Sequence, residues 1–189
     1  MAHELNGRTI AILATDGFEQ SELTEPLRAL QEAGAAVHVV SPKPDSIRGW
    51  DETDWGDEVT VDVELADARP EDYDGLVLPG GQINPDKLRL EPRAVDFVRA
   101  FFAAGKPVGA ICHGPWLLVE ADVAKGRTLT SFASIKTDLK NAGADWVDRE
   151  VVVDQGLVTS RNPGDLEAFN AKLIEEFAEG RHEAQRRHA

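Results

Sequence analysis

A single cysteine, Cys112, is all the thiol chemistry this chain of 189 residues possesses. One cysteine forms no internal disulfide and no multi-cysteine zinc site. The five histidines are scattered and no second thiol accompanies them, so no metal centre and no cofactor are expected. Cations are also in short supply: 20 Lys and Arg face 34 Asp and Glu, a formal net charge of −14. Phosphate backbones and anionic lipid repel such a chain, so neither nucleic acid nor a membrane is expected as a partner. Long apolar runs are missing. Val108–Cys112 and Trp116–Val119 fall well below the ~20 residues that span a bilayer. Met1–Arg8 lacks the charged, apolar and small-residue regions of a secretion signal. A cytoplasmic location is the expectation, and a reducing compartment would keep Cys112 as a thiol. With 42% apolar and 29% charged residues, the chain reads as one soluble globular domain.

The apolar segments that do occur are short and evenly spread. Thr9–Ala14, Ala36–Val40, Gly75–Leu78 and Val108–Ile111 read as strands buried on both faces, as in a parallel sheet. Helical patterns alternate with them. Leu23, Leu27 and Leu30 share a face ahead of Gly34, and Val95, Val98, Phe101 and Phe102 recur ahead of Gly105. A short helix is expected over Trp116–Ala121 and another over Ser134–Asn141. Val151–Asp154 and Leu157–Ser160 flank Gln155-Gly156 as a hairpin. Asn162-Pro163 caps a last helix lined by Leu166, Phe169, Leu173 and Phe177. Pro42–Glu58, rich in acid and carrying Trp50 and Trp55, reads as an exposed loop, and Val59–Val63 as a half-exposed strand. Residues 178–189 read as a frayed, charged tail behind a core that runs from Thr9 to Phe177. The expected fold is a single α/β domain, a mainly parallel sheet sandwiched by helices.

Ligands of such sheets collect at the carboxyl ends of the strands. Cys112 sits at one of these ends, where a strand passes directly into a helix. A nucleophile on so sharp a turn needs small residues two positions before and after it, and Ala110 and Gly114 meet that need. The amides and dipole of the following helix are expected to favour the thiolate. His113 is the one histidine placed to serve as its acid or base; a buried structural cysteine is the plainer alternative. Glu19 and Glu22 open the first helix, where an acid suits the dipole in any case. Glu22 falls on the face turned toward Cys112, where a carboxyl group can hydrogen-bond sulfur and relay protons. Gly80 and Gly81 follow a buried strand, where glycine lets backbone amides approach a reacting oxygen.

These segments resemble the PfpI/ThiJ superfamily, whose members include intracellular proteases and the parkinsonism-associated deglycase. The matching pieces include Asp16–Glu22, Leu76–Gly81, Lys106–Val108, Ala110–Pro115, Asn141–Ala144 and Val151–Asp154. The resemblance runs from Thr9 to about Phe177. It implies a flavodoxin-like fold, also similar to class I glutamine amidotransferases, with Cys112 on a nucleophile elbow. It places the nucleophile on Cys112, its histidine on His113 and the thiol-bonding glutamate on Glu22, with Glu19 nearby in the pocket. It puts the oxyanion amides at Gly81 and His113. It assigns a third acid to Asp86, contributed from a neighbouring subunit, so a homodimer or higher homo-oligomer is implied. Phe132 stands where the family often has tyrosine, so the phenol hydroxyl is missing. The separate His-x-Glu pair of the amidotransferases has no counterpart, since His182-Glu183 lies in the tail.

Two functions are expected on this basis. One is a cysteine hydrolase-like enzyme acting on small carbonyls, glycated groups or peptides. Adjacent cysteine and histidine suit small carbonyl compounds better than folded polypeptides. The other is a stress sensor or chaperone whose Cys112 is oxidised to sulfenic and sulfinic acid.

Overall fold

The structure, a computed structural model, describes residues 5–188; Met1–Glu4 of the N-terminal stretch and Ala189 of the tail lie outside the described residues. The chain opens with β1 (Thr9–Leu13), β2 (Phe18–Glu19), α1 (Gln20–Glu32) and β3 (Ala36–Ser41). Next come β4 (Ser46–Asp51), β5 (Asp54–Thr60), β6 (Val63–Glu64), β7 (Gly75–Leu78), α2 (Ile83–Leu88) and α3 (Pro92–Ala103). Then follow β8 (Val108–Ile111), α4 (Trp116–Glu120), β9 (Thr128–Leu129), α5 (Lys136–Asn141) and β10 (Asp145–Trp146). The hairpin β11 (Val151–Asp154) and β12 (Leu157–Ser160) leads into α6 (Leu166–Glu179).

Seven strands form the central sheet in the order β11-β12-β8-β7-β1-β3-β6. Every pair is parallel except β11 with β12. The strand period of two divides the core between two layers. Ile10 and Ile12 of β1 face α1 and α6, packing with Leu23, Leu30, Phe169, Leu173 and Phe177. Ala11 and Leu13 point the other way, toward Val98, Phe101 and Phe102 of α3 and Leu117 of α4. Each of the larger of these side chains, fully buried, stabilises the fold by roughly 1.5–3 kcal/mol. Helices therefore cover both faces, and β1, β7 and β8 are buried at the middle of the sheet, as the continuous apolar runs predict.

Two segments differ from the sequence reading. The stretch expected to be an acidic loop is a β-hairpin, with β4 and β5 antiparallel and β2 paired to β4. Trp50 and Trp55 face each other across it, ring centroids 5.5 Å apart. Its outer strand ends at Thr60, so Val63 belongs to a separate short strand. The hairpin escapes the usual pattern because β5 is solvated on both faces and lacks an apolar alternation. The tail is not frayed. Past Gly180 it closes into a 3-10 turn over 183–188 that buries Gln185 completely. Gln185 Nε2 donates to the carbonyl of Lys106, and the His182 amide donates to Gly105. Buried Arg127 ties this segment down, donating to the carbonyls of Val123, Asp154 and Gln185 with its guanidinium over Phe102.

Candidate active site

The carboxyl ends of β1, β7 and β8 meet at Cys112. The residue has φ 61°, a left-handed backbone that costs a non-glycine residue about 1–3 kcal/mol and that bends the chain sharply out of β8. The elbow is held by its amide, which donates to Ser160 O at 3.0 Å, and by the Phe132 amide, which donates to Cys112 O at 2.8 Å. It has no room for larger neighbours. A Cβ at Gly114 would lie 2.9 Å from Ile111 O, and one at Gly80 would lie 2.6 Å from the Cβ of Cys112. The need for small residues around the cysteine is therefore met as the sequence suggested.

The Pro79-Gly80-Gly81 turn is fixed by a residue that motif reading missed. Asn84, fully buried, donates through Nδ2 to Pro79 O at 3.0 Å and Gly80 O at 3.1 Å. Its Oδ1 accepts from the Thr15 amide at 2.8 Å, so one side chain joins the end of β1 to the turn after β7. The sequence signal was an asparagine three residues past the glycine pair, where short polar side chains commonly bond nearby backbone.

Glu22 is completely buried in the first turn of α1. Its Oε2 accepts from the Gly80 amide at 2.9 Å, and its carboxyl group interacts with the Cys112 thiol. Burial, reinforced by the Glu19 carboxylate, pushes its pKa up to about 8. Glu22 is thus protonated at neutral pH, which makes its otherwise unpartnered Oε1 a hydrogen-bond donor.

Burial also pushes the Cys112 thiol up, and a Glu22 carboxylate would push it further, although the amides of Gly81 and His113 point at the sulfur and oppose the shift. Sequence reasoning expected the next helix to favour thiolate. That helix is only five residues long, and desolvation outweighs it. His113 is held below the ordinary imidazole range by burial. His113 Nδ1 lies 3.2 Å from Cys112 Sγ and Nε2 lies 2.9 Å from Ser134 Oγ; in the tautomer where S–H donates to Nδ1, Nε2–H donates to Ser134 Oγ. The ring is clamped between Phe132, stacked at 4.9 Å, and Trp116, edge-on at 5.2 Å. Ser134 also went unrecognised, since a serine 21 residues beyond its histidine leaves no local pattern.

A cavity of about 370 Å³ opens above the sulfur, lined by Glu19, Glu22, Trp50, Glu52, Cys112, His113 and Phe132 among others. Glu19 and Phe132 thus reach the pocket, as expected. Asp86 does not line it. It is exposed on α2, and within one chain both nitrogens of His113 are already engaged by Cys112 and Ser134. Among the described residues, Glu176, Glu179 and His182 bring three potential metal ligands within 4.8 Å of one another, and none of them lines this cavity. No helix among the described residues is long and apolar enough to cross a membrane.

The parallel sheet and the strained elbow at the end of β8 define an α/β protein with a cysteine presented at a strand-to-helix turn. The chain belongs to the DJ-1/PfpI family, whose model matches residues 8–176. It is similar to general stress protein 18 of Bacillus subtilis, 48% identical over 170 residues that cover 89% of this chain and 96% of that one. A deglycase of Thermococcus kodakarensis is 45% identical over 165 residues, covering 87% of this chain and 96% of that protein. Among solved structures, DJ-1beta of Drosophila melanogaster matches with a TM-score of 0.83 at 30% identity, covering 90% of each chain.

Proposed function

We propose that this protein is a cysteine-dependent enzyme that acts on small carbonyl compounds and their adducts, of the glyoxalase or deglycase type. The observation that carries this reading is the neutral Cys112–His113 pair lining a cavity of about 370 Å³, with Sγ 3.2 Å from Nδ1. As Sγ attacks an aldehyde carbon, its proton passes to Nδ1 and the carbonyl electrons move to oxygen. The amides of Gly81 and His113 hold that oxyanion, and the His113 proton then neutralises it. For a 2-oxoaldehyde, the hemithioacetal carbon loses its C–H proton and the neighbouring carbon gains one. Water cleaves the resulting thioester to a 2-hydroxy acid and the free thiol. Glu22, protonated beside the sulfur, keeps a second negative charge out of the site.

A cavity of about 370 Å³ over a sulfur-bearing residue that is 6% exposed suits a small molecule better than a folded polypeptide chain. In an assembled homodimer or larger homo-oligomer, Asp86 of a neighbouring copy supplies the outer carboxylate, meeting His113 by way of Ser134. The relatives named as a deglycase and a stress protein support the same class of function. The test is a panel of 2-oxoaldehydes and their amine adducts on wild type and Cys112→Ser, with intact mass recorded alongside. Turnover lost in the variant is expected; turnover retained refutes the mechanism.

A second reading is a sensor whose sulfur takes up two oxygens, favoured by the donors around it: two amides and the protonated Glu22. Two equivalents of peroxide would supply those oxygens and leave as water. A gain of two oxygens at Cys112 under mild peroxide, with no turnover on any carbonyl, would select this reading over the first.

A further inference from the structure

We propose that the pocket selects carbonyl substrates that also carry a cation, an ammonium or guanidinium group, which is received by Glu19 and Glu52 against the face of Trp50. The inference rests on the carbonyl reading above and names the charge of its substrate.

Part of the cavity wall, Trp50 and Glu52, comes from the hairpin that sequence reading took for a loop. β2 and β4 pair with Glu19 opposite Trp50, so an acid and an indole lie side by side at the mouth. The Glu52 amide donates to Glu19 Oε1 at 3.5 Å, which steadies that carboxylate in the wall. Trp50 donates its indole N–H to Glu52 O at 3.0 Å and meets Trp55 edge-on. Its polar edge is therefore engaged, and its ring serves as a surface.

The residues lining the cavity include three glutamates and neither lysine nor arginine. Nearby cations are committed elsewhere: Lys43 pairs with Asp16 at 2.7 Å, and Arg48 donates to Gly56 O. The rest of the hairpin adds Asp51, Asp54, Asp57 and Glu58. Burial together with Asp51 and Glu52 raises the pKa of Glu19, the response of a carboxylate that lacks a cation partner. A substrate cation would supply that partner. Carboxylates beside an indole face are the chemistry that holds ammonium and guanidinium groups. The same field repels phosphorylated or carboxylated aldehydes.

The test uses Cys112→Ser protein, so binding is measured apart from reaction. Tryptophan fluorescence is titrated with three probes of similar size: benzylammonium, benzyl alcohol and benzoate. Benzylammonium is expected to bind about tenfold more tightly than benzyl alcohol, with benzoate weakest. Glu52→Gln should shrink that ratio several-fold, Trp50→Leu should shrink it too, and 0.5 M salt should narrow it. Equal affinity for the three probes, or a ratio unchanged in Glu52→Gln, overturns the inference even where Cys112-dependent turnover is found. A charge preference in a protein that turns over no carbonyl keeps the cation site and removes the reaction.

Discussion

Glu22→Gln isolates the one buried carboxyl group whose protonation governs the site. Glutamine matches its size and keeps an acceptor for the Gly80 amide, so the fold should be retained. Wild-type Glu22 binds its proton in the folded state up to about pH 8, whereas in the unfolded chain it releases it near 4.5, as an ordinary glutamate does. Between those values the folded state holds one more proton than the unfolded state. Stability therefore falls as pH rises, by about 1.4 kcal/mol per pH unit. From pH 5 to pH 8 the loss attributable to Glu22 is roughly 4 kcal/mol, a large part of a typical domain's stability. Its contribution is complete below the unfolded value and is lost as pH passes the folded one. Urea unfolding of both proteins across this window is the assay. Groups with raised values that do not act on Glu22, such as Glu176, titrate in both proteins and cancel in the difference. The difference between wild type and variant should slope downward with pH. A flat difference would mean that Glu22 is ionised in the folded state, and the proton placement beside Cys112 would be wrong.

Ser134→Ala removes the acceptor of His113 Nε2–H, and turnover should fall about tenfold with an altered pH profile, while Ser134→Thr restores much of it. Unchanged pH dependence would deny Ser134 any hold on the imidazole. Asn84→Ala leaves two carbonyls and one amide without their partner, so unfolding free energy should drop by about 3 kcal/mol and Cys112-dependent turnover with it. Chemical denaturation with an intact-fold control by circular dichroism would settle that outcome. Gly80→Ala forces a Cβ to within 2.8 Å of Ile111 O as well as onto Cys112, and should yield little soluble protein or a markedly lower melting temperature.

The sheet was legible because β1, β7 and β8 are buried on both faces and so appear as unbroken apolar runs between glycine stops. The elbow was legible for a related reason: it accepts only small residues near it, and Gly114 records that constraint in the sequence. The hairpin wall was not legible, because solvated strands carry no burial pattern and its acids look like loop residues. The docked tail was missed because what buries it is polar. Arg127 donates to the backbone carbonyl of Gln185, whose side chain in turn donates to Lys106 O, links across distant parts of the chain that composition does not encode. Asn84 and Ser134 belong to the same kind: each works through one side chain placed by the fold, with no spacing rule to announce it. Sequence reasoning about the thiol failed for an energetic reason, since helix orientation is readable in advance and the depth of burial is not.

The elbow also dictates when the thiol changes character during synthesis. Its contacts reach back to Glu22 and the Gly81 amide and forward to Ser160, so the environment of Cys112 is complete only after β12 has joined the sheet. On a growing chain the same cysteine is an ordinary solvated thiol with a pKa near 8.5, open to any passing electrophile. Folding shuts that window, leaving Cys112 6% exposed and its sulfur more strongly protonated than before. The finished pocket is thus a shelter for the thiol, and the period of greatest chemical vulnerability for this cysteine lies before folding is complete.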